Sequence, residues 1–243
     1  MKKRGVITSG LLLLLWYAFF LAVRNEFIFP SPITVANKMF FDIFDSGFYY
    51  IVFSSVLRLC RGLLLSVVFG VSLGLLSGLS KKLSDYLAPI NAILKAIPNM
   101  SYMIILLIWF GAENSVIFVS FLVLFPIIYT NIQTGIGQLN QDLKNVLSVY
   151  PASFFTKVKK IYFPQILPYL WASLKIACGL GLRICIMAEV LSQVRIGVGR
   201  QIYYAKNILD MAGIFSWTIW MILLSMGMDV FLEKIKYLFK IDD

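Results

Sequence analysis

Apolar residues come in runs of about twenty, separated by short polar segments that hold most of the basic side chains. A helix needs about 20 largely apolar residues to cross a bilayer. Runs at 5–23, 56–79, 87–110, 115–134, 168–191 and 213–232 therefore predict six transmembrane helices, the third broken by Pro98. The first run follows Lys2, Lys3 and Arg4, as a signal peptide would. It is longer than the ~7–15-residue apolar core of such a peptide and lacks a small-x-small cleavage site, so it is read as an uncleaved span. Between the first two runs, Pro30 and Pro32 break regular structure. Residues 33–44 then show helical apolar spacing with Lys38 and Asp42 between, which suits a helix lying at the membrane interface. The fold class is all-α and polytopic, a single domain over 1–243. Its core is about 55–235, and residues 1–54 add the first span and the interfacial segment.

Charge sets the expected orientation. With the N-terminus inside, the segments 1–4, 80–84, 135–167 and 233–243 share one side and carry twelve Lys and Arg. The opposite loops carry five: Arg24, Lys38, Arg195, Arg200 and Lys206. That bias obeys the positive-inside rule and places both termini in the cytosol. A five-span count would put the basic 135–167 segment and the basic C-terminus on opposite sides.

Within the second run, Ser66, Gly70, Gly74 and Gly78 recur every fourth residue and share one helix face. Small residues at this spacing let helices approach closely in lipid. Packing within the chain is the expected use; a seam between two copies is the other.

Composition narrows the class. The chain is 60% hydrophobic and 14% charged, with mean hydropathy +0.84 and net charge +10. The excess of apolar residues fits lipid contact, and no basic stripe with interleaved aromatics suggests nucleic acid. There is no histidine, which removes His-based zinc sites and most catalytic triads. Cys60, Cys178 and Cys185 form no C-x-x-C pair and read as small buried apolar residues. No phosphate-loop signature is present: Gly197-Val198-Gly199 begins like one, but Ile202 stands where its last glycine belongs and no strand precedes it. Neither enzyme chemistry nor a cofactor is expected.

Ionisable residues inside spans are the functional candidates. Arg58 and Arg61 open the second span, Lys95 stands one turn before Pro98, Lys175 and Arg183 lie in the fifth, and Glu189 ends it. Arg58, Lys95, Pro98 and Glu189 are the candidates for a helix interface or the pathway. Glu189 is expected to be shielded from lipid, with Arg183 as a possible partner at a spacing that is not the favourable one.

The longest inside segment predicts two helices about a bend. Residues 139–149 form an amphipathic helix; Pro151 disfavours helix at Tyr150 and suits the first turn of the next. Such a loop is built to dock a partner, or to lie on anionic lipid through Lys157, Lys159 and Lys160.

Here the chain resembles the permease subunits of binding-protein-dependent ATP-binding-cassette (ABC) importers, of the nitrate, sulfonate and taurine type. That family's cytosolic loop carries E-A-A, then Gly-Ala-Ser, then Leu-Pro. Asn145-Val146-Leu147 takes the first place, Pro151-Ala152-Ser153 the second and Phe163-Pro164 the third. Ala152, Ser153 and Pro164 match; Asn145 and Pro151 depart. Ser55–Arg58, the glycines at 62, 70, 74 and 78, Leu94–Pro98, Ile108–Gly111, Phe125-Pro126, Ala188–Val190 and Gly197-Val198-Gly199 extend the likeness over about 30–235. The resemblance implies that Asn145, Val146, Leu147, Ser148, Val149, Tyr150, Pro151, Ala152 and Ser153 dock a cytosolic ATP-binding subunit. It implies an external or periplasmic solute-binding protein and a second permease copy, with the pathway between the copies. The solute stays open among nitrate, sulfonates, taurine, a pyrimidine vitamin precursor and riboflavin. A secondary transporter or channel acting without an ATPase is the alternative.

Overall fold

The computed structural model describes residues 2–139 and 153–238, and among these every regular element is helical. The helices are α1 (Lys2–Val23), α2 (Pro32–Phe44), α3 (Ser46–Leu79), α4 (Lys81–Ala96), α5 (Asn99–Gly137), α6 (Phe163–Ser192), α7 (Val198–Asn207) and α8 (Met211–Leu238). Local chemistry sets several starts. Ser31 accepts the Thr34 N–H at 3.0 Å, and Pro32 fills the first helical position of α2, where its missing N–H costs nothing. Asp45 caps α3 through the Gly47 N–H, and Asp210 caps α8 through the Gly213 N–H.

The bundle centres on α3, α5 and α6. Gly62, Gly70, Gly74 and Gly78 of α3 lie against Ser120, Ile128, Ile132 and Ile136 of α5. The sequence offset is 58 at each pair, so the two helices run parallel and in register. A methyl group on these glycines would stand 2.7, 2.8, 2.9 and 2.6 Å from its neighbour on α5. The stripe thus packs within the chain, where close van der Waals contact replaces the hydrophobic drive that lipid removes. Helix α6 runs antiparallel to α5: Gly135 meets Tyr169 at one end, and Gly181 meets Leu124 and Leu59 further along.

One expected span is divided. Helix α4 ends at Ala96, Ile97 is extended at φ −70° and ψ 128°, and α5 starts at Asn99 after Pro98. Proline excludes helix from the residue before it, which explains the break. Helix α5 itself turns at Gly111, with φ 72° and ψ 176°, a conformation confined almost entirely to glycine. Residues 99–110 return Tyr102, Met103 and Leu106 to the core that Val116 and Val119 also enter. The run read as 87–110 is therefore two helices, and the run read as 115–134 lies inside the longer arm 112–137.

By length and composition, α3, α5 and α8 are long and apolar enough to cross a membrane, and Gly10–Val23 is a shorter apolar helix. Helix α6 has 30 residues, about 45 Å at 1.5 Å per residue, with Lys175, Arg183 and Glu189 on it. It follows a single turn, Phe154–Lys157, and a π-helical segment, Val158–Tyr162. Pro164 lacks an N–H, and the Phe163 N–H reaches back five residues to the Val158 carbonyl, so the wider turn absorbs the proline. Helix α2 is tied to α8 by Lys38–Asp210 at 3.5 Å and by the Ser216 hydroxyl donating to Asp42 at 2.6 Å.

Candidate functional site

A closed polar cluster sits where α3, α5, α6 and the 193–199 loop meet. Glu189, three residues before the end of α6, is completely buried. One of its oxygens accepts from Arg58 Nη1 at 2.6 Å; the other accepts from the Ser55 hydroxyl at 2.8 Å and the Gly199 N–H at 2.9 Å. The Arg58 guanidinium turns its other edge to Glu113, with Nη2 at 2.5 Å and Nε at 3.0 Å from Oε2, and Nη2 also donates to the Ile196 carbonyl at 2.7 Å. The second oxygen of Glu113 accepts the Arg195 N–H at 2.8 Å, and the Val198 N–H donates to Ser55 at 2.9 Å.

Each element places its part. Ser55 and Arg58 stand three apart on α3 and so share a face. The Gly111 turn carries Glu113 onto the end of the bundle. Gln193, left-handed at φ 51°, ends α6 and folds the following loop back over Glu189. Gly199 has no room for a side chain: a methyl there would meet Glu189 Cβ at 2.4 Å and the Ile186 carbonyl at 2.7 Å. The stretch that superficially resembles a phosphate loop thus spends its backbone donors on Glu189 and Ser55.

Charge explains why the cluster is closed. A buried ion pair is tolerable only when geometry and further hydrogen bonds satisfy both partners, and removing one partner leaves an uncompensated charge. Charge-assisted bonds are also the strong ones. Here both Glu189 oxygens are engaged, while Glu113 is 43% exposed and joins the buried pair to solvent. The cluster is a clamp that joins α3 to the start of the 112–137 arm of α5 and to the end of α6.

The Glu189 partner is Arg58, 131 residues away. Arg183, proposed from the sequence, is exposed and does not reach it. Glu113 and Ser55 complete the cluster and were not among the sequence candidates. Glu113 had one signal, a single carboxylate between two apolar runs just after a glycine. Lys95 lies apart, donating to Thr130 at 2.9 Å from an exposed position, and Asn91 donates to the same hydroxyl at 3.2 Å. Pro98 caps α5 and acts on the backbone. Of the docking segment, residues 145–152 lie outside the described residues. Ser153 is exposed and caps the turn that follows, accepting the Thr156 N–H at 3.3 Å.

Apolar helices in register, held at one end by a buried ion pair, define a multi-pass membrane protein. The sequence pattern of the binding-protein-dependent transport system inner membrane component matches residues 66–236, and the chain belongs to that family. It is a permease subunit of the ABC importer class, and the family is one of transport permeases rather than enzymes. The nitrate import permease protein NrtB of Synechocystis sp. is 32% identical over 214 residues, covering 84% of this chain and 77% of that protein. The bicarbonate transport system permease protein CmpB of Synechococcus elongatus is 31% identical over 166 residues, 67% of this chain and 60% of that one. The taurine transport system permease protein TauC of Escherichia coli is 26% identical over 232 residues, 91% and 84%.

Proposed function

We propose that two copies of this chain form the pathway for a small solute that carries an anionic oxygen group, with each whole chain acting as one permease domain. Both termini face the cytosol. The segment Asn145–Ser153 docks a separate ATP-binding subunit there, and an external binding protein delivers the solute at the end that carries Arg58, Glu113 and Glu189. The chain supplies path and lever and breaks no bond.

One observation carries this reading. The arm 112–137 of α5 and helix α6 flank the docking segment at one end and carry Glu113 and Glu189 at the other. The arm from 113 to 137 spans about 36 Å at 1.5 Å per residue. A push on the segment between them therefore moves two rigid, packed helices whose far ends are clamped to α3. Such a lever favours the inward- or outward-open state as the ATP-binding subunits close, provided those subunits bind the two states differently. The anion is drawn from the relatives: nitrate, bicarbonate and taurine all present negatively charged oxygens. A secondary transporter needs an intramembrane group free to exchange an ion or proton. Glu189 is engaged on both oxygens and does not supply one.

Two measurements check the proposal. Single cysteines at Lys81 and Asn114 are expected to react with an impermeant thiol reagent from opposite faces of the membrane. Reaction of both from one face contradicts the orientation. Vesicles holding the assembled importer with its binding protein are expected to take up at least one of nitrate, bicarbonate and taurine. Uptake confined to solutes that carry no anionic oxygen group contradicts the assignment.

A further inference from the structure

We propose that Arg183 is an anion-contacting residue of the pathway, set in a water-filled groove between α6 and α8. The inference rests on the reading of this chain as a permease. It assigns the substrate contact to a place away from the Arg58 cluster.

The groove has a volume of about 530 Å³; Arg183, Thr218, Ser225 and Asp229 line it among the apolar Leu182, Met221, Ile222 and Met226. Arg183 is residue 21 of the 30 in α6 and is exposed. It takes part in none of the ion pairs among the described residues. Two other charges on α6 are handled differently: Glu189 is closed in by three donors, and Lys175 pairs with Glu233 at 2.8 Å. A guanidinium well inside a span that no carboxylate neutralises is tolerated facing a bundle interior or a water-filled cavity, not lipid.

Helix α8 turns its polar residues to the same groove. Its Thr218, Ile222, Ser225 and Asp229 fall at helical spacing on the groove side. Its opposite side, with Trp220, Leu223, Leu224 and Phe231, forms a second groove against Phe48, Tyr49, Val52 and Phe53 of α3, and that groove holds no charged residue. One face of the helix is thus suited to lipid or apolar packing, and the other concentrates hydroxyl and charged groups. Gly179 lies opposite Ser225, and Lys175 opposite Glu233. This antiparallel register puts Asp229 about 9 Å along α6 from Arg183, at 1.5 Å per residue. Opposite charges at the two ends give the groove one anion-attracting end. A guanidinium presents a planar fork matched to carboxylate-like and other oxyanion groups, and the Ser225 hydroxyl adds a neutral donor, while the Thr218 hydroxyl donates to the Ile214 carbonyl of its own helix at 2.8 Å. The ligand class is a small oxyanion.

The test reads charge selectivity without knowing the solute. Cys60 is exposed, unlike the buried position its sequence context predicts, so in the assembled importer with Cys60→Ser a single reporter cysteine is placed by Ser225→Cys or, separately, Thr218→Cys. Its reaction rates with anionic 2-sulfonatoethyl and cationic 2-trimethylammonioethyl methanethiosulfonate are compared. Asn114→Cys normalises intrinsic reactivity, and the protein without a reporter gives the background from buried Cys178 and Cys185. The Arg183 charge is expected to favour the anionic reagent severalfold, more at Thr218→Cys than at Ser225→Cys, which lies one turn from Asp229. Arg183→Gln should abolish that preference, and Arg183→Lys should keep most of it. Leu223→Cys on the apolar face should stay unreactive. Reporters that react with neither reagent, or a preference unchanged by Arg183→Gln, overturn the proposal. Loss of ATP-driven uptake in the unsubstituted importer would instead count against the permease reading, which the reactivity ratio does not measure.

Discussion

Arg58→Ala is expected to cost about 3–5 kcal/mol of stability, the range for removing one partner of a buried ion pair. The reason lies in what remains. Glu189 stays fully buried, and Ser55 and Gly199 hydrogen-bond to it without cancelling its charge. Glu113 would lose the guanidinium that holds it against the bundle, and the Ile196 carbonyl would lose a donor. The measured result is a fall in melting temperature and in the yield of monodisperse complex in detergent. A double variant, Arg58→Met with Glu189→Met, removes both charges and fills similar volume. It is expected to be markedly less damaging than the sum of the single changes, because residues in one network are not additive. Glu189→Gln keeps the shape but loses the charge: its amide oxygen can accept on one side while its NH2 group faces a donor on the other, so it is expected to cost less than Arg58→Ala, with assembly retained and uptake reduced. Single variants with unchanged melting temperature, or strictly additive losses, would show that the cluster does not hold the three helices together.

Ala152→Arg or Ser153→Trp is expected to abolish co-purification of the ATP-binding subunit and, with it, uptake. A docking helix is a close-packed contact, and a bulky or charged group inserted there forces strain or an unpaired charge. Pro151→Gly should be tolerated. The bend needs only an interruption of helix between Tyr150 and Ala152. Proline makes one by excluding helix before itself, and glycine by its backbone freedom. The contrast separates shape from chemistry: the bend survives one change and the contact fails under the others. Unchanged docking by both bulky variants removes the segment from its assigned role.

Long-period features were legible in the sequence, and long-range pairings were not. The glycine stripe on α3 could be read because it depends only on helical spacing, and Pro98 announced its own break. Glu189 could be marked as shielded because a carboxylate in a span must avoid lipid. Its partner could not be found by local spacing, since Arg58 belongs to a helix 131 residues earlier and only the fold brings them together. The same holds for Glu113. Its place depends on the Gly111 turn, and a glycine beside alanine in an apolar run gives no hint of a φ of 72°. In the sequence Arg183 reads as a neighbour for Glu189. Its exposure and the polar side of α8 opposite it became visible only with α6 and α8 set side by side. The degenerate docking segment lies outside the described residues, so its assignment still rests on spacing and on family membership.

The most direct test of the account is the energy source for transport. Vesicles containing this permease, its ATP-binding subunit and its binding protein are loaded with ATP or with a non-hydrolysable analogue, and solute uptake is timed. The account predicts uptake that requires hydrolysable ATP, requires the binding protein, and disappears with Ala152→Arg. Uptake at an equal rate without ATP, driven by an ion or proton gradient through this chain alone, would contradict it.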